Sequence, residues 1–156
     1  MQKIWKFIIS LLIPQIVGVI GSLFTMQAIP IWYAGLYKAS FNPPNWVFGP
    51  AWFVLYILMG LALFIVWEKC RNKRELRYAT SVFAVQLALN LLWTIIFFGF
   101  KSPAIAFAEI IFLWGAILLT MANFYKISKT AAYLMVPYFL WVTFAAVLNL
   151  MIVILN

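Results

Sequence analysis

Val47-Phe48-Gly49-Pro50-Ala51-Trp52-Phe53-Val54-Leu55-Tyr56-Ile57-Leu58-Met59-Gly60-Leu61-Ala62-Leu63-Phe64-Ile65-Val66-Trp67 runs for 21 residues without a charged side chain. At ~1.5 Å per residue a helix of this length reaches ~30 Å, the thickness of a bilayer's hydrocarbon core. No water is available there for backbone N–H and C=O groups, so the segment must bond to itself as a helix. Four more apolar stretches flank it: about Ile4 to Ala28, Ala79 to Phe100, Ala104 to Tyr125 and Ala131 to Leu155. All are too long for barrel strands. The expectation is an all-α membrane protein, a five-transmembrane-helix bundle with residues 1–156 as a single domain. The first stretch exceeds a signal-peptide apolar core and has no small-x-small cleavage site, so it is read as a mature helix.

Composition agrees. Hydrophobic residues make up 67% of the chain and charged residues 9%, against about 25% charged in soluble domains. The net charge of +8 is read as topology signal and headgroup anchoring, not as a nucleic-acid interface. There is no His and one Cys, Cys70. That argues against a metal site of the usual ligands and against Ser/His or Cys/His catalysis; the expectation is no metal and no cofactor. With five spans, one face holds Lys3, Lys6, Lys69, Arg71, Lys73, Arg74, Arg77, Lys126 and Lys129, and the other only Lys38 and Lys101. This bias predicts a multi-pass cell-membrane protein with a cytoplasmic N-terminus. The first loop and the C-terminus are then extracytoplasmic.

Working outward from the second stretch, the segment before it is itself unusual. The run from Trp32 to Trp52, both included, holds three Trp, two Tyr, two Phe and three Pro. A stiff aromatic connector of this kind reads as a wall or lid for a flat, apolar ligand. Within the spans, polar residues are costly and informative. Gln86, Asn90 and Trp93 share one helical face, which should point into the bundle. Two readings stay open for it: a ligand-facing group, or amides that bond helices together. Trp52 and Tyr56 share a face of the second span, with Phe48 one turn earlier. Tyr138, Trp141, Ala145 and Asn149 follow one another along the last span, where Pro137 predicts a kink. Trp52 and Trp141 lie deeper than an interfacial aromatic belt requires. Glu109 is the one acidic residue inside a span, read as a hydrogen bond to a neighbouring helix end in preference to a proton relay. Gly60, Ala62, Ala84 and Ala88 suit close helix approach, the last two as a small-xxx-small pair.

The motif Trp32-Tyr33-x-x-Leu36-x-Lys38, then Pro43-Pro44-x-Trp46-x-Phe48 and Trp52, resembles the first loop and second helix of the tryptophan-rich sensory protein/translocator protein family, also called the peripheral-type benzodiazepine receptor family. Gln86-Leu87-Ala88-Leu89-Asn90-Leu91-Leu92-Trp93 and Val136-Pro137-Tyr138-x-x-Trp141, with Leu148-Asn149 beyond, are similar to its third and fifth helices. The resemblance covers the whole chain. It implies a bundle, often a homodimer in membrane lipid, that binds porphyrins and other tetrapyrroles; animal relatives also bind cholesterol and benzodiazepine-type drugs. By position, the implied pocket lining is Tyr33, Trp46, Phe48, Trp52, Asn90, Trp93, Tyr138, Trp141, Ala145 and Leu148, with Lys38 near a propionate. Some bacterial relatives degrade protoporphyrin in light, and the resemblance then implies Trp52 and Trp141 as the catalytic residues. Two departures stand out. Ala39 replaces a frequent Pro, which predicts a looser first loop. The tail after Asn149 lacks the Tyr and Lys/Arg of the animal sterol motif. Alternatives of other classes are a transporter, a lipid or sterol carrier, and a regulatory membrane partner protein.

Overall fold

Most turns between helices take very few residues. The computed structural model describes residues 2–156. Its helices are α1 (Gln2–Ala28), α2 (Asn45–Lys69), α3 (Lys73–Thr94), α4 (Pro103–Ile127), α5 (Lys129–Leu134) and α6 (Val136–Leu155). α5 and α6 together make one span, so five segments of the described residues are long and apolar enough to cross a membrane. There is no strand among the described residues. The all-α five-helix bundle expected from the apolar runs is the observed fold.

Helix ends are set by capping chemistry, which hydropathy does not register. α3 begins at Lys73, ahead of the apolar stretch, because the Asn72 side chain accepts hydrogen bonds from the backbone N–H groups of Arg74 and Glu75 at 2.9 and 3.3 Å. Glu75 in the first turn adds a favourable charge near the helix N-terminus. The charged segment 68–77 is therefore mostly helix, and only residues 70–72 connect α2 to α3. Ser128 plays the same part between α4 and α5, accepting from Ala131 N–H at 3.5 Å. Pro103 starts α4, where its missing N–H costs nothing. Pro137 similarly sits in the first turn of α6, and the span breaks at Met135 just before it.

α3 runs on through a π-helical turn, Ile95–Gly99, in which Phe100 N–H reaches back to the Ile95 carbonyl at 2.9 Å. The extra residue per turn re-aims the side chains that follow. Lys101 then takes a left-handed conformation, φ 54°, and lets the chain reverse into α4.

Around the bundle the spans run α1, α2, α5–α6, α4, α3 and back to α1. The packing is uneven along the axis. Met59, Leu63 and Val66 of α2, Phe83 of α3, and Ile117 and Phe124 of α4 fill one half with fully buried side chains. Gly60 lets α1 approach there: a Cβ on it would meet the Ser10 carbonyl oxygen at 2.7 Å and Leu11 Cα at 2.8 Å. The Lys6–Glu68 ion pair at 3.1 Å joins the same two helices near that end. The other half, under the loop between α1 and α2, is hollow.

Candidate functional site

The hollow is a cavity of about 500 Å³, inside the usual range for small-molecule sites. Its floor is a hydrogen-bonded chain that spans three helices. The Tyr56 hydroxyl donates to Asn90 Oδ1 at 2.9 Å, and Asn90 Nδ2 donates to the Tyr138 hydroxyl at 3.2 Å. That hydroxyl in turn donates to Gln86 Oε1 at 2.9 Å. Each buried amide and phenol on this path has a partner, as polar groups in a low-dielectric interior require. Asn90 and Gln86 thus take the helix-bonding role of the two left open. Asn90 and Tyr138 lie under the cavity and not among its lining residues.

The walls are aromatic. Phe48 and Trp52 come from α2, Trp93 from α3, Phe97 and Phe98 from the π-turn, and Trp141 from α6. Trp52 stacks on Tyr56 with ring centroids 5.6 Å apart, and meets Tyr138 edge-on at 6.1 Å. Trp93 stacks on Phe97 at 5.1 Å, and its Nε1 donates to Asn149 Oδ1 at 3.0 Å. Asn149 Nδ2 donates onward to the Pro103 carbonyl at 2.8 Å, joining α6 to the start of α4. Trp141 packs between Phe48 and Phe144 at 6.1 and 5.8 Å. Its Nε1 is buried and has no hydrogen-bond partner. A buried indole N–H usually finds an acceptor; this one is closed off from the cavity and reaches a polar partner only if the Trp141 ring shifts. Ala145, next to Trp141, is small and leaves room; Leu148 completes this side.

The first loop roofs the cavity. Tyr33, in a short 3₁₀ turn (Tyr33–Gly35), is buried against Phe97 and Phe98. Its hydroxyl donates to Asn42 Oδ1 at 3.3 Å. Burial raises the phenol above its ordinary value, so it stays neutral at physiological pH. Lys38 does not line the cavity: its ammonium lies 4.7 Å over the Tyr33 ring and donates to the Leu36 carbonyl. Tyr37 and Asn156 exchange two hydrogen bonds, 3.0 and 2.9 Å, tying the loop to the end of α6. Trp46 lines the mouth and is three-quarters exposed.

Sequence reasoning missed one whole wall. Gln15, Gly18, Ser22 and Thr25 of α1 face the cavity. Gly18, Gly21, Ser22 and Thr25 recur three or four apart, and this stripe of small side chains was the available signal. Val19 and Met26 on α1, and Trp46 and Phe53 on α2, line the cavity and are also exposed. Its open side therefore lies between α1 and α2, on the flank of the bundle. Glu109 takes no part in the cavity. Both carboxyl oxygens are buried without a partner, so the expected bond to a helix end is not made.

The chain is similar to known proteins over most of its length. The sequence profile described as the TspO/MBR family matches residues 10–155. The chain is 44% identical to the tryptophan-rich protein TspO of Archaeoglobus fulgidus over 156 residues, 99% of each chain. It is 37% identical to the translocator protein of Homo sapiens over 139 residues, 88% of this chain and 82% of that one. It is 42% identical to the tryptophan-rich sensory protein of Cereibacter sphaeroides over 118 residues, 76% of this chain and 72% of that one.

Proposed function

This chain belongs to the TspO/MBR family of membrane proteins, and on that premise we propose that it binds a porphyrin or related tetrapyrrole in the cavity beneath its first loop. The observation that carries the reading is the wall of Phe48, Trp52, Trp93 and Trp141 around about 500 Å³. Flat aromatic rings gain most from offset or edge contacts with such side chains. Drug-like aromatic amides have the same requirements and belong to the same ligand class. The open flank between α1 and α2 suits entry of an apolar ligand from the bilayer.

Titration of the detergent-solubilised protein with protoporphyrin tests this. We expect saturable quenching of Trp fluorescence, weakened about fivefold by Trp141→Phe, which removes ring area from the cavity wall. Trp52→Phe should weaken it by a similar factor, for the same reason. Absence of saturation, or unchanged quenching affinity in the double variant, rejects the reading.

A second reading, light- and oxygen-dependent breakdown of the porphyrin, is favoured by Trp52 and Trp141 both lining the cavity. The porphyrin is then its own photosensitiser, dioxygen the co-reactant and the Trp side chains oxidisable neighbours. Illumination under oxygen should yield a new absorbing product that is absent in the dark, under argon and in Trp141→Phe. Homodimerisation through α3 belongs to the same proposal: Ala84 and Ala88 lie exposed on its outer face, where a second helix can approach closely. So does the orientation with the first loop outside the cell.

A further inference from the structure

A second cavity, about 510 Å³, opens at the opposite end of the bundle from the aromatic site, between the start of α3 and the end of α4. Its cationic lining is Arg74, Arg77 and Lys126; Glu75 is the one acidic residue facing it. None of the three cations makes an ion pair among the described residues. Ser81 and Asn123 add a hydroxyl and an amide at the inner edge. Helix ends this rich in free cations would repel one another unless an anion screens them. The pocket's depth says which anion. Arg74 and Arg77 lie on the first turns of α3, ahead of the apolar stretch that starts at about Ala79, and Lys126 on the last turn of α4. All three therefore sit at headgroup level. Directly below, Val85 and Leu119 are apolar and exposed, ~12 Å deeper than Arg77 at the helical rise in the case of Val85. The pocket is thus basic at the top and hydrocarbon-like beneath.

We propose that Arg74, Arg77 and Lys126 form a binding site for the phosphate of an anionic phospholipid, whose acyl chains lie along the outer groove between α3 and α4. Guanidinium groups match phosphate oxygens with paired N–H donors, and Lys126 supplies a point charge. The Ser81 hydroxyl donates to the Arg77 carbonyl at 2.8 Å and Asn123 Nδ2 to the Leu119 carbonyl at 2.7 Å, which leaves their oxygens to accept from a glycerol headgroup. The inference does not rest on the ligand of the aromatic cavity.

Native mass spectrometry of the full chain in neutral detergent, titrated with phosphatidylglycerol, phosphatidylcholine or inorganic phosphate, tests it. We expect phosphatidylglycerol adducts at concentrations where phosphatidylcholine gives none. The triple variant Arg74→Gln/Arg77→Gln/Lys126→Gln should weaken them at least tenfold, in line with the contribution of each cation near an anionic lipid surface. The control variant Lys3→Gln/Arg71→Gln/Lys73→Gln removes the same charge from the same end outside the pocket and should change binding less than twofold. Equal losses in both variants would show nonspecific attraction and overturn the site. Inorganic phosphate binding as tightly as the lipid, with the same dependence on the pocket, would overturn the assignment to lipid. Arg74→Lys/Arg77→Lys keeps charge and fold; retained binding at more than half the wild-type affinity would overturn the role given to the guanidinium fork.

Discussion

Tyr138 shows how one hydroxyl sets the geometry of the site. It accepts from Asn90 and donates to Gln86, deep in the bundle. Tyr138→Phe would leave an amide N–H and an amide C=O unpaired, at about 1–3 kcal/mol each. We expect a clearly lowered thermal midpoint in detergent, with porphyrin affinity within twofold of wild type, because Tyr138 is floor and not wall. Wild-type stability with lost affinity would instead put the ring in contact with the ligand. Trp141 is the converse case. Its Nε1 makes no hydrogen bond and its ring lines the cavity, so Trp141→Phe should register in binding before stability. Nothing in the one-dimensional pattern separates these two residues. Both are aromatic, both lie inside the last span, and they are three positions apart.

At the scale of elements, the contact of α1 with α2 decides whether the hollow half can exist. Gly60 holds that contact in the packed half, where its missing Cβ admits the backbone of Ser10 and Leu11. Gly60→Ala must push backbone aside, and overpacking of this kind costs about 1–3 kcal/mol. Gly115, mid-α4, has nothing within 4 Å of its would-be Cβ. Gly115→Ala should therefore stabilise, by up to about 1 kcal/mol from helix propensity. Thermal unfolding of the two variants should move in opposite directions; a parallel shift would contradict the close approach at Gly60. The π-turn after α3 is equally local in cause and wide in effect. It swings Phe97 beneath Tyr33 and Phe98 beside Trp93. The sequence Ile95-Ile96-Phe97-Phe98-Gly99 reads as ordinary apolar helix, since a bulge is a matter of which carbonyl each N–H chooses.

The whole molecule is polar in its layout: a dense half beside the basic end, and a hollow half under the aromatic loop. Cys70, the only cysteine and free, lies at the turn between α2 and α3 on the basic side. A membrane-impermeant maleimide added to intact cells should leave it unlabelled, and permeabilisation should expose it. Labelling of intact cells would reverse the proposed orientation. The first loop is tethered in its first half by Tyr33 in the aromatic cluster and by Tyr37 on Asn156, and further along by Phe41 against Phe144. Ala39 removes one stiffening Pro, yet these contacts act elsewhere in the loop.

Spans, their number and the charge asymmetry between the two faces are all legible from residue order. They depend on transfer of each segment into lipid, a property of composition over about 20 residues. Most of the cavity walls, among them Phe48, Trp52, Trp93 and Trp141, are implied by the family resemblance carried in the motifs. What residue order leaves open is which polar group bonds to which. Residue order allows Asn90 to face either a ligand or its neighbours; in the bundle it bonds to Tyr56 and Tyr138 from two other helices. Lys38 is claimed by the Tyr33 ring and a local carbonyl. α1 joins the cavity through small side chains whose value is the space they leave, and the basic pocket exists only because the start of α3 meets the end of α4. Such features are pairwise distances between helices far apart in the chain, and only the packed bundle sets them.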